Sequence, residues 1–263
     1  MPVTSRPDGP LGRLAALEGV GSGYAAARDG IDVVLRDRGL RRTTPGTTAE
    51  SLLRGAHANA VLAGSASTLE EVRSGAGDAV AQDALRVSTH LLSLAPMLRR
   101  QPLQALARLH ALAAATGAVE LAGRPADAAG AERLQSLGSL LADPAAGPAL
   151  LVAAVVHAEL ATSGAFGSHE GIVARSAERL VLVARGVDEK SLVVPEAAHL
   201  SLRAAYESNL RGYRDGGPAG VHAWLLYTAE AYTLSAELSP VLSGSGHADG
   251  IRFAGDPDAA ADT

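Results

Sequence analysis

Apolar positions along most of this chain recur every three to four residues, which is the period of an amphipathic α-helix. Only residues 191–194 look extended, and no other stretch alternates apolar and polar residues as a strand would. The pattern therefore predicts an all-α bundle of about eight or nine helices, with at most a short β-hairpin flap. The helical runs cover residues 48–62, 78–94, 103–113, 131–141, 148–161, 171–185, a run ending near 213, and 218–237.

Local signals indicate where some helices begin and where a loop lies. Thr47 with Glu50, and Ser67 with Glu70, have the spacing of a capping box, so helices are expected to begin at these points. Residues 118–131 are rich in Gly, Ala, Asp and Pro and predict a surface loop that could lie over a site.

The two ends of the chain have weaker patterns than its middle. Residues 1–10 contain three prolines, and residues 11–35 show two weak helical patterns separated by a Gly-rich run at 19–23. We expect three parts: an N-terminal extension with weak helices at 1–46, a helical domain at 47–238, and a disordered tail at 239–263.

Composition excludes several classes of function. The chain has no cysteine, so it can form no disulfide, thiolate nucleophile or cysteine-based metal site. A net charge of −5 gives no electrostatic reason to expect a nucleic acid or a membrane as partner. No apolar run reaches the ~18 residues of a membrane span. We expect a soluble cytoplasmic protein, and the abundance of Ala, Gly and Arg is typical of GC-rich bacterial coding sequence.

The main candidate site is the stretch AAVVHAELATSGAFGSHEGIVAR at residues 153–175. An apolar helical run ends there at a Gly-rich turn, and the next helix begins with free N–H groups and a dipole that favour an anion. The spacing resembles the signature HPFx(D/E)GNGRxxR of the Fic (Fido) domain family. Aligned on Phe166, the last arginine and second glycine of that signature fall on Arg175 and Gly171, and His157 lies nine residues before Phe166. The resemblance covers roughly residues 47–238.

The resemblance implies adenylyl transfer, but several positions depart from the signature. The histidine that acts as catalytic base in the family is replaced by Gly164, which cannot accept a proton. The metal-binding acid is replaced by Ser168, which lacks a carboxylate. The asparagine and first arginine that hold the phosphates are replaced by Glu170 and Ile172. The motif is thus degenerate, and no residue is predicted as a metal ligand.

Part of an anion site remains in the motif. Arg175 lies one turn inside the second helix and could reach a phosphate, while Gly171 allows a close backbone approach. An ordinary structural role is also open, with Ser168 as N-cap and Glu170 favoured by the helix dipole. The candidate nucleotide-binding residues are Phe166, Ser168, His169, Glu170, Gly171 and Arg175.

An upstream stretch, ANAVLAGS at residues 58–65, resembles the family's inhibitory helix (S/T)xxxE(G/N). Asn59 and Gly64 occupy the outer positions, and Ala63 replaces the glutamate that restrains the catalytic arginine in the family. The loss of both the base and the inhibitory glutamate is mutually consistent, because an inert site has nothing to restrain.

The histidines do not form a recognisable catalytic or metal motif. Ser168, His169 and Glu170 are consecutive and would not face one another on a helix, and H-E-x-x-H is not completed. We expect His157 to be a core histidine bonded to backbone. No pair among the other histidines on apolar faces, His90, His110, His199 and His222, has metal-ligand spacing. Core or partner packing is expected for Tyr206, Tyr213, Trp224, Tyr227 and Tyr232.

These patterns favour a Fic-like protein with a degenerate adenylyl-transfer motif, acting as a non-catalytic or regulatory binding protein. One alternative is an active nucleotidyl (AMP) transferase with altered residues, in which His169 takes the role of base. Another is a helical self-association or adaptor protein. Candidate partners are another protein, a nucleotide or other phosphate ligand, and a second copy of the chain. The cofactor stays open, since the resemblance implies ATP with Mg²⁺ while the acid and first arginine are missing.

Overall fold

The computed structural model describes residues 9–36, 45–116 and 122–240, and within these ranges it is all-α. No strand occurs in them, so the all-α prediction is confirmed, and residues 191–194 form an irregular connection. The described residues form twelve helices, more than the eight or nine predicted, because short helices such as α1 and α10 give little periodic pattern. The helices are α1 Gly12–Ala15, α2 Val20–Arg36, α3 Pro45–Leu62, α4 Leu69–Ser74, α5 Ala79–Arg100, α6 Pro102–Ala113, α7 Ala128–Ala142, α8 Ala149–Thr162, α9 Glu170–Ala184, α10 Pro195–Ser201, α11 Arg203–Asp215 and α12 Gly217–Glu237.

The helix starts follow local hydrogen bonding, with shifts from the predicted positions. The capping box of α4 is formed by Thr68 and Glu71, one residue later than predicted, because the Ser67 hydroxyl instead accepts a hydrogen bond from Asp78 N at 2.9 Å. Helix α3 begins at Pro45, ahead of the predicted box, since proline is well suited to the first turn.

In the Gly-rich run at residues 19–23, Gly19 lies in the turn after the short helix α1 and the other residues form the first turn of α2. A Cβ at Gly23 would lie 3.1 Å from Ala229 Cβ, so glycine lets α2 approach α12 closely. The Tyr24 and Thr228 hydroxyls form a buried hydrogen bond of 2.6 Å across the same contact. Helix α2 therefore shares the core with later helices, while the division at 1–46, 47–238 and 239–263 stays a prediction.

Helices α8 and α9 form the centre of the bundle. Every residue of α9 from Ile172 to Ala184 is buried, and α8 is buried from Leu150 to Ala158. Helices α3, α5, α6 and α10 pack against α9, and α11 and α12 pack against α8. No described helix has both the length and the apolar character needed to cross a membrane. Because α9 is buried on all sides, its polar side chains must find partners inside the protein.

Arg179 on α9 shows how such a side chain is accommodated. All five of its N–H donors have acceptors. The Nε group donates to Ser191 Oγ at 2.7 Å, one terminal nitrogen donates to Ser51 O and to Glu196 Oε2, and the other donates to Ser51 Oγ and to Ser191 O. A Cβ at Gly55 would collide with the Arg179 guanidinium, so a glycine on α3 makes room for this arrangement.

Gly55→Ala is therefore expected to destabilise the protein by about 1–3 kcal/mol, because the added methyl group must displace a fully hydrogen-bonded guanidinium. Gly30→Ala in α2 is the matched control, since its Cβ would meet nothing within 4 Å. That change should raise the stability by about 0.5–1 kcal/mol. Denaturant unfolding of both variants checks the pair, and an equal effect of the two changes would contradict the packing described.

Candidate functional site

The turn between α8 and α9 has three residues in the left-handed backbone region, Gly164 (φ 64°), Gly167 (φ 74°) and His169 (φ 55°). Gly164 is exposed, and a Cβ there would meet nothing within 4 Å. The N-cap position of α9 is His169, which makes no side-chain capping bond. The structural interpretation of Ser168 as N-cap is therefore wrong, because the Ser168 hydroxyl bonds to histidines instead.

His110 of α6 packs against the turn and forms a hydrogen bond to it. Its ring stacks on Phe166, with centroids 4.4 Å apart and planes 14° apart. Its Nδ1 accepts a hydrogen bond from Gly123 N at 2.9 Å, so in the neutral ring Nε2 carries the proton and donates to Ser168 Oγ at 3.1 Å. Burial, and then the neighbouring His169, lower the pKa of His110, which favours this neutral form.

His169 turns back onto the preceding residue. Its Nδ1 lies 3.1 Å from Ser168 Oγ, and its Nε2 lies 3.8 Å from Asp83 Oδ2. Ser168 and His169 are expected from the sequence not to face each other, because consecutive residues on a helix do not. That expectation is wrong, since both residues precede α9 and His169 has a left-handed backbone that lets its ring contact Ser168. The Ser168 hydroxyl is thus placed between two imidazoles, one donating to it and one able to accept its proton.

The segment predicted to lie over the site does contact the turn. Ala126 N donates to Ala165 O at 2.9 Å, which ties residues 122–127 to the motif. The segment is shorter than predicted because Asp127 caps a helix by accepting from Gly130 N at 2.8 Å, so α7 begins at Ala128. Residues 118–121 of the predicted loop lie outside the described residues.

Arg175, the predicted phosphate ligand, is directed into the protein and is only 2% exposed. It donates from Nε to Asn59 Oδ1 at 2.7 Å, from Nη2 to Asn59 O at 3.2 Å and from Nη1 to Tyr206 Oη at 2.9 Å. A Cβ at Gly171 would lie 3.1 Å from both terminal nitrogens, so that glycine leaves space for the guanidinium. Glu170 is half-buried in the first turn of α9.

The α3 helix, which resembles the inhibitory helix, does face the arginine. The contact is made by Asn59, whose Nδ2 also donates to Ile172 O at 3.3 Å and to Ser176 Oγ at 3.2 Å. Ala63 and Gly64 are exposed and lie just beyond the end of α3. Asn59 therefore accepts hydrogen bonds from Arg175 through its side chain and its backbone carbonyl. It lies one helical turn before Ala63, the position that corresponds to the family's glutamate.

Three residues from three helices form a buried histidine cluster, consisting of His157 of α8, Glu178 of α9 and His199 of α10. His157 Nδ1 and His199 Nε2 each lie 2.9 Å from the same carboxylate oxygen, Glu178 Oε2. All three side chains have no exposed surface. His157 is thus a core histidine as predicted, but its partners are side chains and not backbone.

Tyrosine hydroxyls surround this cluster. The Tyr227 hydroxyl lies 2.8 Å from His199 Nδ1, and the Tyr206 hydroxyl lies 3.0 Å from His157 Nε2. Because Tyr206 also accepts from Arg175, hydrogen bonds run without a break from Arg175 to Glu178.

The pKa values of His157 and Glu178 are both lowered, but for different physical reasons. Burial lowers the pKa of His157 to about 4, which keeps the ring neutral near pH 7. Burial raises the pKa of Glu178, but its interactions with His157 and then His199 outweigh burial and hold that pKa below its usual range. The described state is therefore an ionised carboxylate between two imidazoles, of which His157 is neutral.

Sequence reasoning missed the cluster because its members are far apart in the chain and only packing brings them together. One signal was available. The run RSAER at residues 175–179 places charged residues within a helix that is otherwise apolar on all sides, which is typical of a buried polar network.

Comparison with known proteins identifies the fold. No sequence model of a protein family and no curated protein matches the chain. Among solved structures, residues 134–508 of Fic-1 from C. elegans match with a TM-score of 0.66 and 15% identity, over 86% of this chain and 72% of that one. A Fic family protein from Desulfovibrio desulfuricans G20 matches with a TM-score of 0.69 and 14% identity, over 84% and 74%. The chain therefore has a Fic fold, as its sequence resemblance predicts.

Asn59→Ala is expected to destabilise the protein by about 1.5–3 kcal/mol, because it removes the acceptor for Arg175 Nε and leaves a buried cationic donor unpaired. Asn209→Ala on α11 is the control, since its amide bonds only to Ala205 O at an exposed site. It should cost no more than about 0.5 kcal/mol. Equilibrium unfolding in urea compares the two, and similar small losses would show that the Arg175 contact contributes little.

Proposed function

We propose that this Fic-fold protein does not transfer a nucleotide through its motif turn and acts instead as a non-catalytic binding or regulatory protein. The observation that carries the proposal is the burial of Arg175. At 2% exposure, with Asn59 and Tyr206 as partners, this arginine is not presented to a ligand at the start of α9.

The rest of the turn supports the same reading. Adenylyl transfer needs a group that takes the proton of the attacking hydroxyl, and Gly164 has no side chain. It also needs cations that neutralise the phosphates, whereas Ser168 is uncharged and Glu170 adds negative charge in the first turn. Only the backbone N–H groups of the helix start remain favourable to an anion.

Purified protein is therefore expected to leave no label on itself or on lysate proteins when incubated with labelled ATP and Mg²⁺ or Mn²⁺. Gly164→His should be equally inactive, because restoring a base does not release Arg175 or restore the missing acid. The Gly164 site has open space, so this variant tests the chemistry at the modest cost of a left-handed backbone. Covalent labelling by either protein, removed by excess unlabelled ATP, would contradict the proposal.

Thermal unfolding with ATP, ADP and GTP separates a nucleotide-binding protein from one that binds only macromolecules. A ligand that binds the native state must raise its unfolding temperature. Because Arg175 is occupied, we expect no shift from any of the three nucleotides. A shift that depends on concentration would show that a nucleotide binds the native state although Arg175 is buried.

A second candidate function is transfer with His169 as the base, and one observation favours it. His169 Nδ1 lies 3.1 Å from Ser168 Oγ while Asp83 lies 3.8 Å from Nε2, so the ring could take a proton and have its charge stabilised. Under this alternative, any measured transfer would be lost in His169→Ala and kept in His222→Ala, a half-buried histidine on α12. Equal transfer by the two variants would exclude His169 as the base.

A further inference from the structure

We propose that His157, Glu178 and His199 form a buried binding site for a single zinc ion. Their ligand atoms lie within 4.8 Å of one another and come from three different helices, α8, α9 and α10. This site is separate from the motif turn, and the proposal does not depend on the function proposed above.

The donor set selects the metal. Two imidazole nitrogens and one carboxylate oxygen are typical ligands of Zn²⁺, whereas Mg²⁺ and Ca²⁺ take oxygen ligands. Ligands about 2.1 Å from a tetrahedral zinc lie ~3.4 Å apart. The two N···O separations of 2.9 Å would therefore have to lengthen by only about half an ångström.

The outer nitrogens of both rings are already oriented. His157 Nε2 faces the Tyr206 hydroxyl at 3.0 Å, and His199 Nδ1 faces the Tyr227 hydroxyl at 2.8 Å. Histidine ligands of metals commonly have their second nitrogen fixed by such a partner, which sets the ring orientation. The inner nitrogens, His157 Nδ1 and His199 Nε2, are thereby both directed at the same atom, Glu178 Oε2.

Hydrogen bonding alone leaves this site incompletely satisfied. Glu178 Oε1 and the Tyr232 hydroxyl are buried, and neither forms a hydrogen bond of good geometry. Burial, and then the charge of Glu178 together with a weak hydrogen bond to its carboxylate, raise the pKa of the Tyr232 hydroxyl, which places the two groups side by side. These two oxygens are available to complete the coordination of an ion held by the two histidines.

The buried negative charge of Glu178 also favours a bound cation. A carboxylate with no exposed surface is costly unless a cation compensates it. Glu178 forms no ion pair with Arg or Lys among the described residues, and Arg175 reaches it only through Tyr206 and His157. A divalent cation between the two rings would supply the missing positive charge at the carboxylate itself.

The test uses the full chain, unfolded and refolded with ZnCl₂, then dialysed and analysed for metal by mass spectrometry. We expect about one zinc ion per chain, and an unfolding temperature about 5–10 °C above that of chain refolded with a chelator. Co²⁺ in place of zinc should give visible absorption from a site with nitrogen and oxygen ligands. Chain that binds no zinc and gives the same unfolding temperature with and without chelator would overturn the proposal.

The zinc content of single-residue variants tests whether the ion is bound by the histidine cluster. His199→Gln and Glu178→Gln should each lose the zinc and the chelator effect, whereas His110→Gln should keep both, because His110 is equally buried but lies at the motif turn. Zinc retained by both cluster variants would place the ion elsewhere and overturn the proposal. If these variants fail to fold, the metal content and the Co²⁺ spectrum of the wild-type chain still decide it.

Discussion

The structure depends on the pairing of charged side chains inside a helix that has no exposed face. Helix α9 carries Arg175, Glu178 and Arg179 at buried positions, where each charge would be costly without a partner. Arg179 is satisfied by Ser51, Ser191 and Glu196, and the other two are linked to each other through tyrosine and histidine. These contacts connect α9 to α3, α8, α10 and α11 and fix how the bundle is assembled.

The same pairing determines what the motif turn can do. Arg175 has the position of the last arginine in the signature that the sequence resembles, yet here its hydrogen bonds are directed to α3 and α11. Gly171, which could bring backbone close to a ligand, instead leaves space for the guanidinium. The likeness to Fic structures therefore describes the fold, while function must be argued from the residues at the turn.

Sequence reasoning predicted the all-α architecture and the two helices of the motif, because helical period and spacing are local signals. It did not place Arg175 inside the protein, since an arginine on a helix is usually exposed. It also missed the meeting of His157 with His199, because that contact depends on how α8 and α10 pack against α9. The reversal of His169 required a left-handed residue other than glycine, which the sequence does not signal.

The central claim is that Arg175 is held inside the protein and is not available to an anion. Phenylglyoxal modification of the folded protein, mapped by mass spectrometry, tests it most directly. Arg175 is expected to remain unmodified while exposed arginines such as Arg36 and Arg214 react, with no change on addition of ATP. Modification of Arg175 at the rate of the exposed arginines, with protection by ATP, would contradict the claim.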